Sequence, residues 1–206
     1  MPRVSEEIKQ MTRARLLRAA ADAFARDGLA GANINHISVE AGFAKGTVYN
    51  YFESKEALFL AVIEEACVRT LEQAPLPTEA GARAQIEALL ALDVAWAKAN
   101  EPFAKVLVRE GLAADEALYP KILAATEPLL RPVVEALTAG AARGEVRRDM
   151  PAEQLALIVI GLHEMALVQH WGSGGAWPAL DDIPALVTRI FFEGAQPTPS
   201  EPGDRP

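Results

Sequence analysis

The 206-residue sequence contains few of the side chains from which metal sites, disulfides and catalytic centres are built: it has one cysteine, Cys67, and three histidines. A single cysteine excludes a disulfide within the chain and any site of paired cysteines, and a lone thiol in an apolar segment is usually a small core residue. The pair His163-Glu164 lacks the second histidine of a zinc-protease motif, because Leu167 stands in its place. The serine in Gly172-Ser173-Gly174 lacks the strand, turn and helix of a nucleophile elbow. We therefore predict that the chain is not an enzyme and has no catalytic residue, metal or cofactor.

Long apolar runs are also missing. The longest, residues 155–162, has eight residues, whereas a helix needs about 20 to cross a bilayer. Residues 1–7 lack the apolar core of a secretion signal. These observations predict a cytoplasmic protein with no membrane partner.

The sequence favours an all-α fold. Aromatic residues make up only 6% of the chain, alanine and leucine dominate, and no segment alternates polar and apolar residues as a strand would. Apolar residues recur at helical spacing between stop signals such as Asp27-Gly28. About nine helices are predicted, with short or kinked ones over 111–132, one beginning at Pro102, and the others at 5–27, 34–41, 45–52, 55–73, 78–100, 151–171 and 183–193.

Charge is distributed unevenly along the chain. The net charge is −8, but residues 1–55 carry +2 and the remainder −10. Such an asymmetry suggests an N-terminal part that faces a polyanion and an acidic body held away from it, although +2 by itself is also compatible with chance.

Two short predicted helices joined by a glycine-containing turn, from Asn33 to Phe52, have helix-turn-helix spacing. Asn33 can cap the first helix, and Gly42 can take a positive φ in the turn. Gly46 leaves room for a backbone to approach DNA closely. Lys45 lies at the start of the second helix, where the helix dipole also favours phosphate.

Residues 42–59, GFAKGTVYNYFESKEALF, closely resemble the signature of TetR-family regulators, which is roughly G-V-S-K-G-T-[LV]-Y-x-[YH]-F-x-[SN]-K-E-x-L. The close match covers about residues 10–60, and the rest matches only as a pattern of helices. Ala44 replaces the usual serine, and Ala32 and Asn33 stand where threonines are frequent. These departures leave the fold unchanged but alter the set of phosphate contacts.

The resemblance implies roles for residues of the second helix. Lys45 and Lys55 would contact phosphates, Tyr51 would anchor a phosphate, and Thr47 and Tyr49 would contact bases or adjacent backbone. Asn50 stands where many members have histidine. The predicted DNA-binding set is Asn33, Lys45, Gly46, Thr47, Tyr49, Asn50, Tyr51 and Lys55.

The resemblance also implies a DNA-binding domain over 1–55 and a ligand-binding and dimerisation domain over 56–194. The four prolines of residues 195–206 predict a disordered tail. Candidate ligand-binding residues are apolar, aromatic or central to a helix, and ordinary core packing is the alternative for each of them. They are Trp96, Phe103, Val106, Tyr119, Leu130, Val134, His163, Met165 and Trp171. For His163 the alternatives are a ligand contact, a bond within the core, or a place at a dimer interface.

The last two long helices carry more apolar surface than a small domain needs, and the resemblance implies that they form a four-helix dimer interface. The alternative is that they complete the core of one subunit. The predicted interface residues are Leu155, Ile158, Leu162, Ile183, Leu186, Val187, Ile190 and Phe191.

The function that the resemblance implies is a ligand-responsive repressor of the bacterial cytoplasm. As a homodimer it would bind a palindromic double-stranded DNA operator and be released by a small, mainly apolar effector. One alternative is a regulator without a small ligand, controlled by a partner protein or acting as an activator. The other is a small helical enzyme, for which the sequence offers no reactive constellation.

Overall fold

The computed structural model describes residues 6–73, 75–77, 79–113 and 115–194, and the predicted tail at 195–206 lies outside them. Within these ranges the chain is all-helical, with nine α-helices, two short 3-10 segments and no strand. This confirms the predicted fold class. The helices are α1 (Glu6–Gly31), α2 (Ile34–Glu40), α3 (Lys55–Leu71), α4 (Ala82–Ala99), α5 (Glu101–Leu112), α6 (Tyr119–Ala125), α7 (Glu127–Arg143), α8 (Ala152–Gly172) and α9 (Ile183–Glu193), with 3-10 segments at Thr47–Asn50 and Leu180–Asp182.

Helix boundaries follow local capping chemistry. The Ser54 hydroxyl accepts a hydrogen bond from the Ala57 N–H at the start of α3, and Gly194 ends α9 with a positive φ. The first helix breaks at Gly28, where φ is 71° and ψ is 175°, so the predicted stop at Asp27-Gly28 is present although helical residues resume up to Gly31. Pro132 lies inside α7.

The second helix of the predicted helix-turn-helix is much shorter than expected. A helix over 45–52 was predicted, but only Thr47–Asn50 is helical, as a single 3-10 turn. Gly46 has a left-handed φ of 82°, which prevents a helix from extending back through Lys45. Residues 51–54 form a turn and bends before α3 begins.

The chain forms two compact units. Among the described residues, the first contains those up to Pro75 together with those from Ala95 to Pro132, and the second contains those from Leu76 to Val94 together with those from Val133 to Gly194. This division differs from the predicted boundary after residue 55. The difference arises because the helix-turn-helix shares a hydrophobic core with α5 and α6, which come much later in the sequence.

The core of the first unit is organised around aromatic rings. Helix α1 packs against α3 and α5, and α3 packs against α6. The Phe24 and Phe59 rings meet edge to face with centroids 5.2 Å apart, and the Phe59 and Phe103 centroids are 5.9 Å apart. All three rings are buried. Edge-to-face pairs of this kind add about 0.5–1.5 kcal/mol to the free energy gained by burial alone.

The second unit has its own core, formed by α8, α9 and the parts of α4 and α7 that belong to it. Ile86, Leu137, Val159 and Ile183 are fully buried there. By length and composition α8 passes the test for a membrane-spanning helix, as the core helices of many globular proteins also do, and about a third of its apolar window is buried within the protein. Mid-helix His163 and Glu164 favour its assignment as a core helix.

Candidate DNA-binding interface and effector region

The helix-turn-helix is held by local hydrogen bonds. Asn33 Oδ1 accepts from the Asn35 and His36 backbone N–H groups at 3.0 and 3.4 Å, which confirms its predicted place as the cap of α2. Gly42 has a φ of 79° in the turn, as predicted. These features fix where α2 begins and how the chain leaves it.

A buried serine joins the two halves of the motif. The Ser38 hydroxyl accepts a hydrogen bond of 3.1 Å from the Val48 backbone N–H, and both side chains are fully buried. Sequence reasoning missed this residue. The available signal was a small polar side chain next to Ile37 on the inward face of α2, where an unpaired hydroxyl would be costly.

The 3-10 segment presents its polar side chains to solvent. Lys45 and Asn50 are exposed, and the Tyr49 side chain is 52% exposed despite its size. Thr47 and Gly46 are half-buried beside them. The structure therefore brings these five predicted residues together on one short stretch, while Val48 and Phe52 are buried in the core beneath it.

Two predicted DNA contacts are placed differently from their neighbours. Tyr51 is half-buried and packs against the hydrophobic core. Lys55 Nζ donates hydrogen bonds to the Ala30 and Ala32 carbonyl oxygens at 2.7 and 3.2 Å. Its ammonium group thus joins the start of α3 to the end of α1.

Two arginines of α1 lie over aromatic rings of the motif. The Arg15 guanidinium is 4.8 Å from the centroid of the Phe43 ring, and the Arg13 guanidinium is 5.7 Å from that of Phe52. The φ of 79° at Gly42 favours glycine in the turn, and the end of the Arg15 side chain lies against it, 2.5 Å from where a Cβ would be. These contacts place positive charge beside the turn, where sequence spacing alone indicated only a solvated helix face.

Residues 16–62, which contain this whole motif, match the family described as bacterial regulatory proteins, tetR family. This segment of the chain is similar to the DNA-binding region of that family. The match begins at the first buried leucine of α1 and ends within α3, so it covers the helices and the turn whose geometry is given above.

Relatives extend the similarity beyond the motif. The chain is 28% identical to the HTH-type transcriptional repressor SCO4008 of Streptomyces coelicolor over 159 residues, 77% of this chain and 80% of that protein. It is 42% identical over 59 residues to the HTH-type transcriptional regulator YvdT of Bacillus subtilis, but that match spans only 29% of this chain and 30% of YvdT. Among solved structures, the transcriptional regulator FadR from Bacillus subtilis in complex with stearoyl-CoA superposes with a TM-score of 0.75, covering 89% of this chain and 99% of FadR at 19% identity. The relatives are DNA-binding transcriptional regulators, not enzymes.

The candidate effector-binding residues of the first unit differ in exposure. Phe103 and Val106 are buried in the core that supports the helix-turn-helix, and the Trp96 ring packs edge to face on Phe103 at 6.2 Å. Tyr119 is exposed, and Leu130 is half-buried. Phe103 and Val106 are therefore packing residues of this core.

The candidate effector-binding residues of the second unit include one buried polar side chain. His163 is 3% exposed, and its Nε2 lies 2.7 Å from Oδ2 of Asp93 on α4. A bond within the core, one of the predicted alternatives, is thus present. Met165 is exposed, whereas Val134 and Trp171 are half-buried.

Beside this pair, burial raises the pKa of the Glu164 carboxyl, an effect that His163 opposes and Asp93 reinforces. Asp93 was missed by sequence reasoning because it is 70 residues from His163. The signal for it was a lone aspartate in the apolar stretch that follows Leu89 and Leu90.

The predicted interface residues divide into two groups. Leu155, Ile183 and Val187 are buried in the core of the second unit, because α8 and α9 pack on each other through these side chains. These three side chains complete the core of one chain, which was the stated alternative to an interface role. The other five retain free surface: Ile158 and Ile190 are exposed, and Leu162, Leu186 and Phe191 are half-buried.

Proposed function

We propose that this chain is a homodimeric TetR-family repressor of the bacterial cytoplasm. Its helix-turn-helix would bind a palindromic operator, and a small, mainly apolar effector would release it. The observation that carries the DNA-binding part is the stretch Lys45–Asn50, whose polar side chains face solvent above the buried Val48.

The recognition surface proposed here consists of Lys45, Thr47, Tyr49 and Asn50. Lys45, Tyr49 and Asn50 are exposed and Thr47 is half-buried, so Lys45 can reach a phosphate and the other three can reach base edges or sugar. Because the Val48 N–H is held by the buried Ser38 hydroxyl, the segment would lose little conformational freedom when it binds DNA.

Exposed apolar side chains on α8 and α9 support the dimer. Ile158 and Met165 are seven residues apart, on one face of α8, and are 45% and 47% exposed. Ile190 on α9 is 44% exposed. Large apolar side chains that are exposed to solvent on two consecutive α-helices are typical of a surface that another subunit covers.

A solved structure with the same fold and a bound small molecule supports a small effector. FadR from Bacillus subtilis has this fold and was solved with stearoyl-CoA bound. For the present chain we propose only that an apolar molecule binds the helices after α3 and favours a form of the dimer that no longer fits its operator. A coupling of about 1–3 kcal/mol would weaken operator binding roughly 5- to 150-fold.

The test begins with selection of an operator from random-sequence duplexes, followed by fluorescence anisotropy with the full chain. Lys45→Ala should weaken binding to all sequences and lower the salt slope, log K against log[salt], by about 0.9 for each phosphate contact removed. Arg147→Ala is the matched control, because it removes an equal charge from an exposed position of the second unit. Equal affinity of Lys45→Ala and wild type would refute the proposed docking. Sedimentation of the wild type as a monomer at micromolar concentration would refute the dimer.

A further inference from the structure

Asp93 and His163 form a polar pair in the second unit, and Glu164 follows His163 along α8. We call these three residues the carboxylate–histidine cluster. The Asp93–His163 contact joins α4 to α8 at 2.7 Å. Val159 and Leu167, one turn before and one turn after His163 on the same helix face, are buried, and so is Val94 next to Asp93.

The cluster contains two carboxyl groups and one imidazole. In the part of the chain that the structure describes, neither Asp93 nor Glu164 pairs with a lysine or arginine. Arg83, on the same helix as Asp93, forms an ion pair with Glu193 instead. No lysine or arginine occurs between Met150 and Asp182. With a neutral His163 ring, neither carboxyl charge is balanced by a cation within the cluster.

His163 also has an unused hydrogen-bonding atom. Its Nδ1 is buried and has no hydrogen-bond partner among the residues that the structure describes, and the side chain as a whole is 3% exposed. When Nε2–H donates to Asp93, the neutral ring leaves an acceptor lone pair on Nδ1. Buried polar atoms are nearly always paired in proteins, so this nitrogen marks a place for an external donor.

We propose that the effector is a lipophilic molecule with a protonated amine that donates to His163 Nδ1 and balances the charge of Asp93 and Glu164. The inference rests on the proposed effector response and names the chemical class of that effector. The apolar neighbours of the cluster match the hydrocarbon part of such a molecule, and the ammonium group supplies both the missing donor and the missing charge. An anionic head group would instead be repelled by two carboxyls, so an acyl-CoA of the kind bound by FadR is poorly matched to this cluster.

The experiment compares three probes with the same hydrocarbon: 4-phenylbutylamine, 4-phenylbutyrate and 4-phenylbutanol. Each is titrated into the full chain without DNA, by calorimetry and by thermal shift. We expect the amine to bind at least about tenfold more tightly than the other two, because a charge-assisted hydrogen bond in a buried site is the difference between them. Equal or tighter binding of the carboxylate, or no binding of the amine, would overturn the inference.

Variants locate the binding. Asp93→Asn and His163→Gln should each reduce the amine affinity about tenfold or more, with little effect on the alcohol. Glu87→Gln is the matched control, because Glu87 is a half-buried carboxylate of the same helix whose partner is Thr188. Circular dichroism and melting curves establish whether each variant is folded. If His163→Gln does not fold, Asp93→Asn still tests the inference, because asparagine is nearly isosteric with aspartate. Unchanged amine binding in Asp93→Asn would overturn the inference.

Operator binding is measured in a separate assay, so that the proposed effector response and the proposed ligand class can be refuted independently. If the amine binds as expected but leaves operator affinity unchanged, effector-driven release is refuted and the assignment of the ligand class is supported. If the protein binds operator but no probe discriminates between ammonium and carboxylate, the ligand class is refuted and the DNA-binding function is retained.

Discussion

Lys55 offers a direct test of whether a cation of the helix-turn-helix motif holds the fold in place or contacts DNA. The resemblance to the family assigns it a phosphate, whereas the structure directs its Nζ to the Ala30 and Ala32 carbonyl oxygens. We predict that Lys55→Met, which keeps most of the aliphatic stem and removes the ammonium, lowers stability without changing the salt dependence of operator binding.

The size of the stability loss follows from the two hydrogen bonds. A hydrogen bond to a charged group contributes about 1.5–3 kcal/mol when buried. One of these two bonds is exposed and the other is partly buried, so solvent reduces their value. We expect a combined loss of about 1–2 kcal/mol in the free energy of unfolding. For a chain of this length that corresponds to a fall in Tm of about 2–8 °C.

The deciding measurement is the slope of log K against log[salt] for operator binding, taken by anisotropy at a temperature where all variants are folded. Lys45→Ala should lower this slope by about 0.9 for each phosphate contact removed. Lys55→Met should leave it at the wild-type value, while operator affinity falls modestly because the α1–α2 loop is less firmly held. A slope reduced as much as in Lys45→Ala, with an unchanged Tm, would refute the positioning role of Lys55.

Three further predictions concern other parts of the chain. Ser38→Ala should cost about 1–3 kcal/mol in the free energy of unfolding, because it leaves the Val48 N–H buried without a partner; urea denaturation measures the loss, and wild-type stability would contradict the importance of this bond. Ile190→Glu should raise the dimer dissociation constant at least about 100-fold, because it buries an unpaired charge in the proposed interface; sedimentation velocity measures it, and an unaltered dimer would exclude this face. Glu164→Gln should stabilise the chain at pH 7 relative to wild type, with the gain disappearing below about pH 4. The pKa of Glu164 in the folded chain lies above its ordinary value of 4.5, so between these two pKa values the folded chain holds more protons than the unfolded chain. The stability of the wild type therefore falls as the pH rises through this window. Tm values of the two proteins that change with pH in the same way would contradict this.

Much of the fold could be predicted because its signals are local. The cap at Asn33, the cap at Ser54 and the stop at Gly194 each act within a few residues, and the observed helix ends follow them closely. The recognition segment departed from prediction because hydrophobic spacing over 45–52 also fits a full α-helix. What shortens it is the left-handed backbone at Gly46, which its spacing does not reveal.

The candidate site was harder to predict because its contacts join distant parts of the chain. The period of an apolar stripe identifies one face of α9, but not which side chains on that face are covered by the same chain. Val187 is buried within its own unit, whereas Ile190 three residues later is exposed. Similarly, sequence places Lys55 at a helix start, yet only the fold reveals the carbonyl groups at the end of α1 that it contacts.

The composition of the first unit suggests how a change in the later helices would affect DNA binding. Helix α5 contributes Phe103 to the core beneath the helix-turn-helix, and its Arg109 side chain lies against the break in α1, where a Cβ at Gly28 would come within 2.9 Å of Nη2. Helix α6 adds an ion pair between Lys121 and Glu56, in the first turn of α3. A rigid shift of α5 or α6 therefore cannot leave α1 and α3 in place without opening a well-packed core, and cores of this kind tolerate discrete rearrangements better than gradual strain. An effector that moves these helices would be expected to move the recognition segment with them, so that the DNA-binding domain responds as part of a larger body.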